Sequence, residues 1–120
     1  MKLAETERRV MTLIWDQEGI SAKELAAALE KSVGWNKTTT YTVITRCMEK
    51  NYIRRENPKF HCYSLISREE VAQADTDALI DFSYQGRPDL LVAALVGRNK
   101  LSLDQIKGLY DALREVEDEK

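Results

Sequence analysis

The chain of 120 residues carries one histidine, two cysteines, two prolines and five glycines, and it has no long apolar run. Each scarcity excludes something. A membrane-spanning helix needs about 20 predominantly apolar residues, and no such stretch is present. The first residues, MKLAETERRV, become charged at once and lack the apolar stretch of a signal peptide, so a cytoplasmic protein is expected. Two cysteines, Cys47 and Cys62, make no disulfide framework. Cys47 falls inside an apolar helical pattern and reads as a buried thiol. His61 and Cys62 are neighbours on a β-prone run, where successive side chains point to opposite faces, so they ligate one metal poorly. No Ser/His/Asp set, carboxylate pair in a pocket-like context or glycine-rich phosphate loop is apparent. One histidine supplies the usual nucleophilic and acid–base chemistries badly. The expectation is a protein that is not an enzyme and uses no cofactor or metal.

Net charge is only −2, which at first argues against a nucleic-acid partner, but the charge is uneven. Residues 1–66 hold eleven Lys/Arg against eight Asp/Glu, while residues 67–120 hold seven against twelve. Between Trp35 and Phe60, Lys37, Arg46, Lys50, Arg54, Arg55 and Lys59 face only Glu49 and Glu56. A locally basic patch on an acidic protein suits a DNA-binding head with a separate body. Charge alone is equally compatible with a solvated charged face.

Hydrophobic periodicity supplies the elements. Val10, Met11, Leu13 and Ile14 mark a first helix from about Glu5 to Gln17, stopped at Glu18-Gly19. Ile20 enters the core. Ser21-Ala22-Lys23-Glu24 is a capping box opening a second helix to about Lys31, burying Leu25, Ala28 and Leu29. Ser32-Val33-Gly34 reads as a turn. Asn36 caps a third helix to about Lys50. Two β-prone runs, Tyr52–Glu56 and Phe60–Leu65, flank an Asn57-Pro58-Lys59 turn and predict a hairpin. Helix, helix, helix, hairpin is the order of a winged helix-turn-helix. Beyond Ile66, Ser67–Glu70 is a capping box for a helix to about Tyr84. Asp89–Val96 is short and apolar, and Ser102 caps a last helix to about Val116, with the tail EVEDEK expected to fray. The fold class is therefore mostly α with a small β-hairpin: a winged-helix DNA-binding domain over 1–66 and a helical dimerisation region over 67–120. Three short helices bury little among themselves, so a two-fold partner is expected to complete their core; the alternative is that they fold back on the N-terminal domain of the same chain. The dimerisation candidates are Leu79, Phe82, Leu90, Leu91, Leu95, Leu103, Ile106, Leu109 and Leu113.

The third helix holds five threonines, Thr38, Thr39, Thr40, Thr42 and Thr45, although threonine is a mediocre helix former. Thr40, Val43, Ile44, Cys47 and Met48 fall on one face and can pack, which dominates helix stability in proteins. The opposite face has no large aliphatic residue. A helix in the major groove needs slender side chains there, because bulky ones hold its backbone away from base edges. A threonine hydroxyl can meet a phosphate or a base edge, and its methyl can pack on a thymine methyl. Solvent alone would favour Glu, Lys, Gln or Ala. The DNA-binding candidates are Lys37, Thr38, Thr39, Tyr41, Thr42, Thr45 and Arg46 on the helix, with Arg54 and Lys59 on the wing and Arg55 beside them. The N-terminus of helix two is a further anion position, opposed by its own Glu24. Phe60 and Tyr63 read as core beneath the hairpin. The alternative function is a winged-helix protein–protein interaction module without sequence-specific DNA binding.

The stretches VMTLIW (10–15), ISAKELAAALE (20–30), WNKTTTYTVITRCMEKNYIRRE (35–56) and FHCYSLIS (60–67) together resemble the penicillinase-repressor family. That family includes repressors of β-lactamase and methicillin-resistance genes and copper-responsive CopY-type repressors. The resemblance implies a homodimeric winged-helix repressor on a pseudo-palindromic DNA operator, with helix three in the major groove. The family's Trp-Ser-x-x-Thr-(Val/Ile)-x-Thr pattern, followed by an Arg, falls on Trp35, Asn36, Thr39, Thr40, Thr42 and Arg46. It implies a DNA-facing role for Thr39 and Thr42 and a packing role for Trp35. The departures are specific. Ala4 stands where a Ser or Thr caps helix one, a loss of about 1 kcal/mol unless something substitutes. Asn57-Pro58-Lys59 replaces a glycine–arginine-like wing tip. The Asn-Phe pair cleaved in β-lactam-responsive members falls at Ala94-Leu95, and no cysteine follows Cys62, so neither that cleavage nor copper sensing by a cysteine cluster is expected.

Overall fold

A computed structural model of the chain describes residues 2–119. Six helices and one hairpin follow in order: α1 (Glu5–Asp16), α2 (Ala22–Val33), α3 (Lys37–Glu49), β1 (Ile53–Glu56), β2 (His61–Ser64), α4 (Arg68–Ser83), α5 (Pro88–Gly97) and α6 (Leu103–Asp118). The class is the expected one, mostly α with a winged helix-turn-helix order. The chain divides into two compact units, one to Asp75 and one from Thr76, so the division falls within α4 rather than at the end of the hairpin. The first turns of α4 belong to the first unit because Val71 is buried in its core.

That core is assembled from every element of the first unit. Val10, Met11 and Ile14 come from α1, Leu25 and Leu29 from α2, Val43, Ile44 and Cys47 from α3, and Ile53 and Cys62 from the hairpin. Ala22 and Ala26 complete the buried stripe of α2, and Ala28 is only half-buried. Strands β1 and β2 pair antiparallel, Ile53 opposite Ser64 and Arg55 opposite Cys62. The free edge of β2 takes the segment before α2: Cys62 N–H donates to Ile20 O (2.9 Å), and Ala22 N–H donates to Phe60 O (3.0 Å). Gly19 lies at φ +90°, and a Cβ there would sit 3.0 Å from Tyr63 Oη, so both backbone and space require glycine.

Helix ends match local chemistry with three differences from the sequence expectation. α2 runs on through Ser32 and Val33, ending on Gly34 in the left-handed conformation (φ 75°), whose N–H caps Glu30 O. α6 extends to Asp118 rather than fraying after Val116, from a Ser102–Gln105 capping box at its start. At α1, Ala4 has no capping side chain, but Glu7 reaches back to accept the Ala4 N–H at 2.8 Å. Half a capping box therefore survives.

Glu7 is fully buried. Its second oxygen lies 2.8 Å from the ammonium of Lys50 at the C-terminal end of α3, close but off a good hydrogen-bond line. Burial by itself would raise this carboxyl. The Lys50 contact, the Ala4 N–H and the positive charges of Lys50 and Arg46 together outweigh it and hold the carboxyl below its ordinary value of 4.5. The same contact raises the Lys50 ammonium.

In the second unit, the apolar side chains are left outward. Phe82 is 89% exposed, and Leu79, Leu103, Leu109 and Leu113 are also exposed. Leu90, Leu91, Leu95 and Ile106 are half-buried. Ala94-Leu95 lies inside α5, half-buried and within a continuous helix, a poor setting for a proteolytic cut.

Two consequences are measurable. Thr40 is fully buried, and its hydroxyl finds no partner among the described residues. Thr40→Val keeps the branched shape and removes an unsatisfied group, so urea unfolding should show a gain of about 1 kcal/mol. Because the folded Glu7 carboxyl is lowered, its stabilisation is present above pH 4.5 and is lost as pH falls through the folded value. Lys50→Met removes the main support for the charged form, so the midpoint of acid unfolding, followed by circular dichroism, should move to higher pH.

Candidate nucleic-acid interface

Helix α3 is built with two unlike faces. Thr40, Val43, Ile44 and Cys47 are buried, and Met48 and Trp35 pack against that core. Trp35 thus has the packing role the resemblance implies. The other face borders an open groove of about 690 Å³ lined by Lys37, Thr38, Tyr41, Thr42, Thr45, Arg46 and Glu49. Six of the seven helix residues expected at a DNA surface are therefore side by side. The seventh, Thr39, lies at the start of the helix, where its N–H and hydroxyl both donate to Asn36 Oδ1, at 2.8 and 2.9 Å. Asn36 is the N-cap, as its position before the helix suggests.

The threonine hydroxyls are already directed. Thr42 Oγ1 donates to Thr38 O and Thr45 Oγ1 to Tyr41 O, each at 2.9 Å. A hydroxyl has one proton and two lone pairs. With the proton spent on the helix, Thr42 and Thr45 offer a methyl group and an accepting oxygen. The charged donors on this face are Lys37 and Arg46, near its two ends. Tyr41 differs from a free groove-wall residue: it is half-buried, and its ring meets Phe60 edge-on at 5.9 Å. Tyr41 lines the groove as expected and also contacts the hairpin, which the helical pattern alone does not show.

The wing brings its two arginines to different places. Arg54 lies over the Tyr63 ring (4.4 Å) and pairs with Glu56. Arg55 lies over the Phe60 ring (3.9 Å), and its Nε donates to Asn57 Oδ1 at 2.9 Å. Lys59 is exposed at the hairpin tip. Phe60 and Tyr63 are half-buried, Phe60 packing on the core as expected. The anion position at the start of α2 is filled from within the chain, because Glu24 accepts from the Ser21 hydroxyl (3.0 Å) and N–H (3.3 Å).

Among the described residues no group of His, Cys, Asp or Glu is arranged to hold a metal, and no helix is long and apolar enough to cross a membrane. Burial pushes the Cys47 thiol up to about 12 and the Cys62 thiol up to about 11. Both are protonated and enclosed, which makes them packing residues rather than reactive ones. Sequence reasoning missed Glu7, its pairing with Lys50 and the stacking of Arg55. Glu7 follows the cap position by three residues, the one signal that pointed to it.

The geometry has relatives. The sequence model of the family described as Penicillinase repressor matches residues 3–115. The methicillin resistance regulatory protein MecI of Staphylococcus aureus (strain N315) is 28% identical over 114 residues, 93% of each chain. The penicillinase repressor of Bacillus licheniformis is 23% identical over 116 residues, 95% of this chain and 91% of its own. Among solved structures, the solution structure of the Bacillus licheniformis BlaI monomeric form in complex with the blaP half-operator is similar in fold. It aligns with a TM-score of 0.51 at 24% identity, over 58% of this chain and 88% of that one.

Proposed function

The chain belongs to the penicillinase repressor family, and from that premise we propose that it is a homodimeric transcriptional repressor that sets α3 into the major groove of a pseudo-palindromic operator. Family membership supports a DNA-binding repressor rather than an enzyme, and a fold relative, BlaI, has been solved on a half-operator. The observation that carries the α3 assignment is its exposed face: short threonines over the groove, no large aliphatic, and a cation near each end. Thr39 and Thr42 sit where the family pattern has its threonines. The methyl groups of Thr42 and Thr45 suit thymine methyls, and their oxygens suit the amino groups of adenine or cytosine. Lys37 and Arg46 supply the donors that guanine and phosphate need, and Thr38 and Lys59 reach the backbone.

The dimer rests on the second unit. Leu79, Phe82, Leu103, Leu109 and Leu113 are left exposed by a single copy, and Leu90, Leu91, Leu95 and Ile106 are only half-buried; exposed apolar surface of this kind marks association sites. A second copy related by two-fold symmetry buries the same surface on both sides and fixes the spacing of two α3 helices. The other reading, a protein-interaction module, also uses a bare helix face but predicts a different response to salt.

Selection from a randomised duplex pool should enrich one palindromic sequence. Affinity for it should fall steeply as salt rises, through counterion release; a salt-insensitive complex with no enriched sequence would favour the protein-interaction module. Thr42→Ala should cut the preference for the selected duplex over random DNA about fivefold, on the order of 1 kcal/mol, while leaving the melting temperature nearly unchanged. Leu109→Asp should convert a sedimenting dimer to a monomer with weaker operator binding, and a wild-type chain that stays monomeric at high loading would exclude the dimer.

A further inference from the structure

We propose that Arg55, and not its neighbour Arg54, is the cation that strand β1 delivers to the DNA backbone beside α3. The proposal rests on the DNA-binding reading above and decides between two strand arginines, Arg54 and Arg55, that the sequence names together.

The strand register separates the two arginines. Residues opposite each other on paired strands share a face, and successive residues alternate. Ile53, Arg55, Cys62 and Ser64 therefore share one face, and Arg54, Glu56, His61 and Tyr63 share the other. Ile53 and Cys62 are buried against the helices, so Arg55 is on the helix-facing side, one step past the core toward the hairpin tip. Arg54 is on the outer side. There it is held on Tyr63, whose hydroxyl abuts Gly19, and its charge is matched by Glu56.

Arg55 is continuous with the groove. Its guanidinium lies 3.9 Å from the centroid of Phe60, Phe60 meets Tyr41 edge-on, and Lys37 Nζ stands 5.7 Å from the centroid of Tyr41. Two rings thus bridge α3 and the wing with a cation at each end. Phe60 reaches this position at φ +46°, a left-handed conformation unusual for an aromatic residue. Such an outlier is worth a functional reading when the surroundings hold it, and here its carbonyl is tied to Ala22 N–H. Contact with the Phe60 ring and donation of Nε to Asn57 Oδ1 hold the guanidinium in place, and neither uses its two Nη groups. Those groups form the bidentate edge that recognises a phosphate. Arg55 has no carboxylate partner among the described ion pairs, so its charge is available to DNA.

The test uses the full-length protein and the duplex that wild type selects from a random pool, with affinity read by fluorescence anisotropy across a salt series. Arg55→Gln should lower affinity several-fold and make the slope of log K against log salt shallower by about one per bound subunit. Arg54→Gln, at the wing arginine expected on DNA from the sequence alone, should change both much less than Arg55→Gln, because Glu56 already matches its charge. Arg55→Lys should restore the slope but not the full affinity, because it keeps the charge and loses the flat, pre-ordered fork. Phe60→Leu should weaken binding with the slope intact. Ethylation of one backbone phosphate should weaken wild type and not Arg55→Gln. A merely structural role would lower the melting temperature and leave the salt slope alone, which would overturn the proposal. A slope lost in Arg54→Gln and kept in Arg55→Gln would overturn it equally. A wild type that selects no sequence and shows no salt-dependent binding would instead remove the DNA reading on which it rests.

Discussion

Everything the first unit does depends on the packing of one side of α3. The helix has a poor claim to exist by itself, since five of its thirteen residues are threonine, which loses side-chain freedom and competes for backbone hydrogen bonds. What stabilises it is the stripe of Thr40, Val43, Ile44 and Cys47 buried against α1, α2 and the hairpin, because tertiary contact outweighs propensity in a helix of this length. The buried stripe releases the other face from any structural duty. Residues there need not be good helix formers or hide from water, and they can be chosen for what they present. Both ends of α3 are secured separately, by the Asn36 cap and by the Lys50–Glu7 pair that reaches the first turn of α1.

Glu7 illustrates how two demands are met by one side chain. The first turn of α1 lacks a capping hydroxyl, so a backbone N–H would go unsatisfied. A buried carboxylate by itself would be costly. Placed three residues after Ala4, Glu7 answers the first problem with one oxygen, and Lys50 answers the second at the other. The aliphatic stem of Lys50 carries the ammonium to the buried carboxylate while that head stays partly in water, as long basic side chains commonly do. The consequence is that α1 and α3 are coupled by charge as well as by the apolar core.

Periodicity and punctuation made most of the fold legible. The helical spacing of Val10, Met11 and Ile14, the Ser21–Glu24 and Ser67–Glu70 boxes, and the Asn-Pro turn are local signals, and they gave the helices and the hairpin with small errors at the ends. The groove face of α3 was legible for the same reason, because a helix fixes which residues share a side. What stayed hidden depends on tertiary contact. Tyr41 is drawn inward by Phe60, a residue nineteen positions later, and Thr40 sits on the buried stripe as its spacing predicted but with a hydroxyl left unpaired. Neither fact has a local signature. The fate of the wing arginines needed the register of β1 on β2, which a short turn of Asn57-Pro58-Lys59 does not announce.

Sign and polarity are also divided along the chain. The basic excess belongs to residues 1–66 and the acidic excess to residues 67–120, so an attraction to phosphate is concentrated where α3 and the wing lie. The exposed leucines and Phe82 are concentrated in the other unit. A surface that binds DNA must be wet, charged and salt-sensitive, and a surface that binds a second copy must be apolar and largely indifferent to salt. The proposed reading puts DNA on one unit and a second copy on the other, so that each surface is optimised without weakening the other. It also explains why a near-neutral net charge says so little about this protein: the average cancels two opposite specialisations that are separate along the chain.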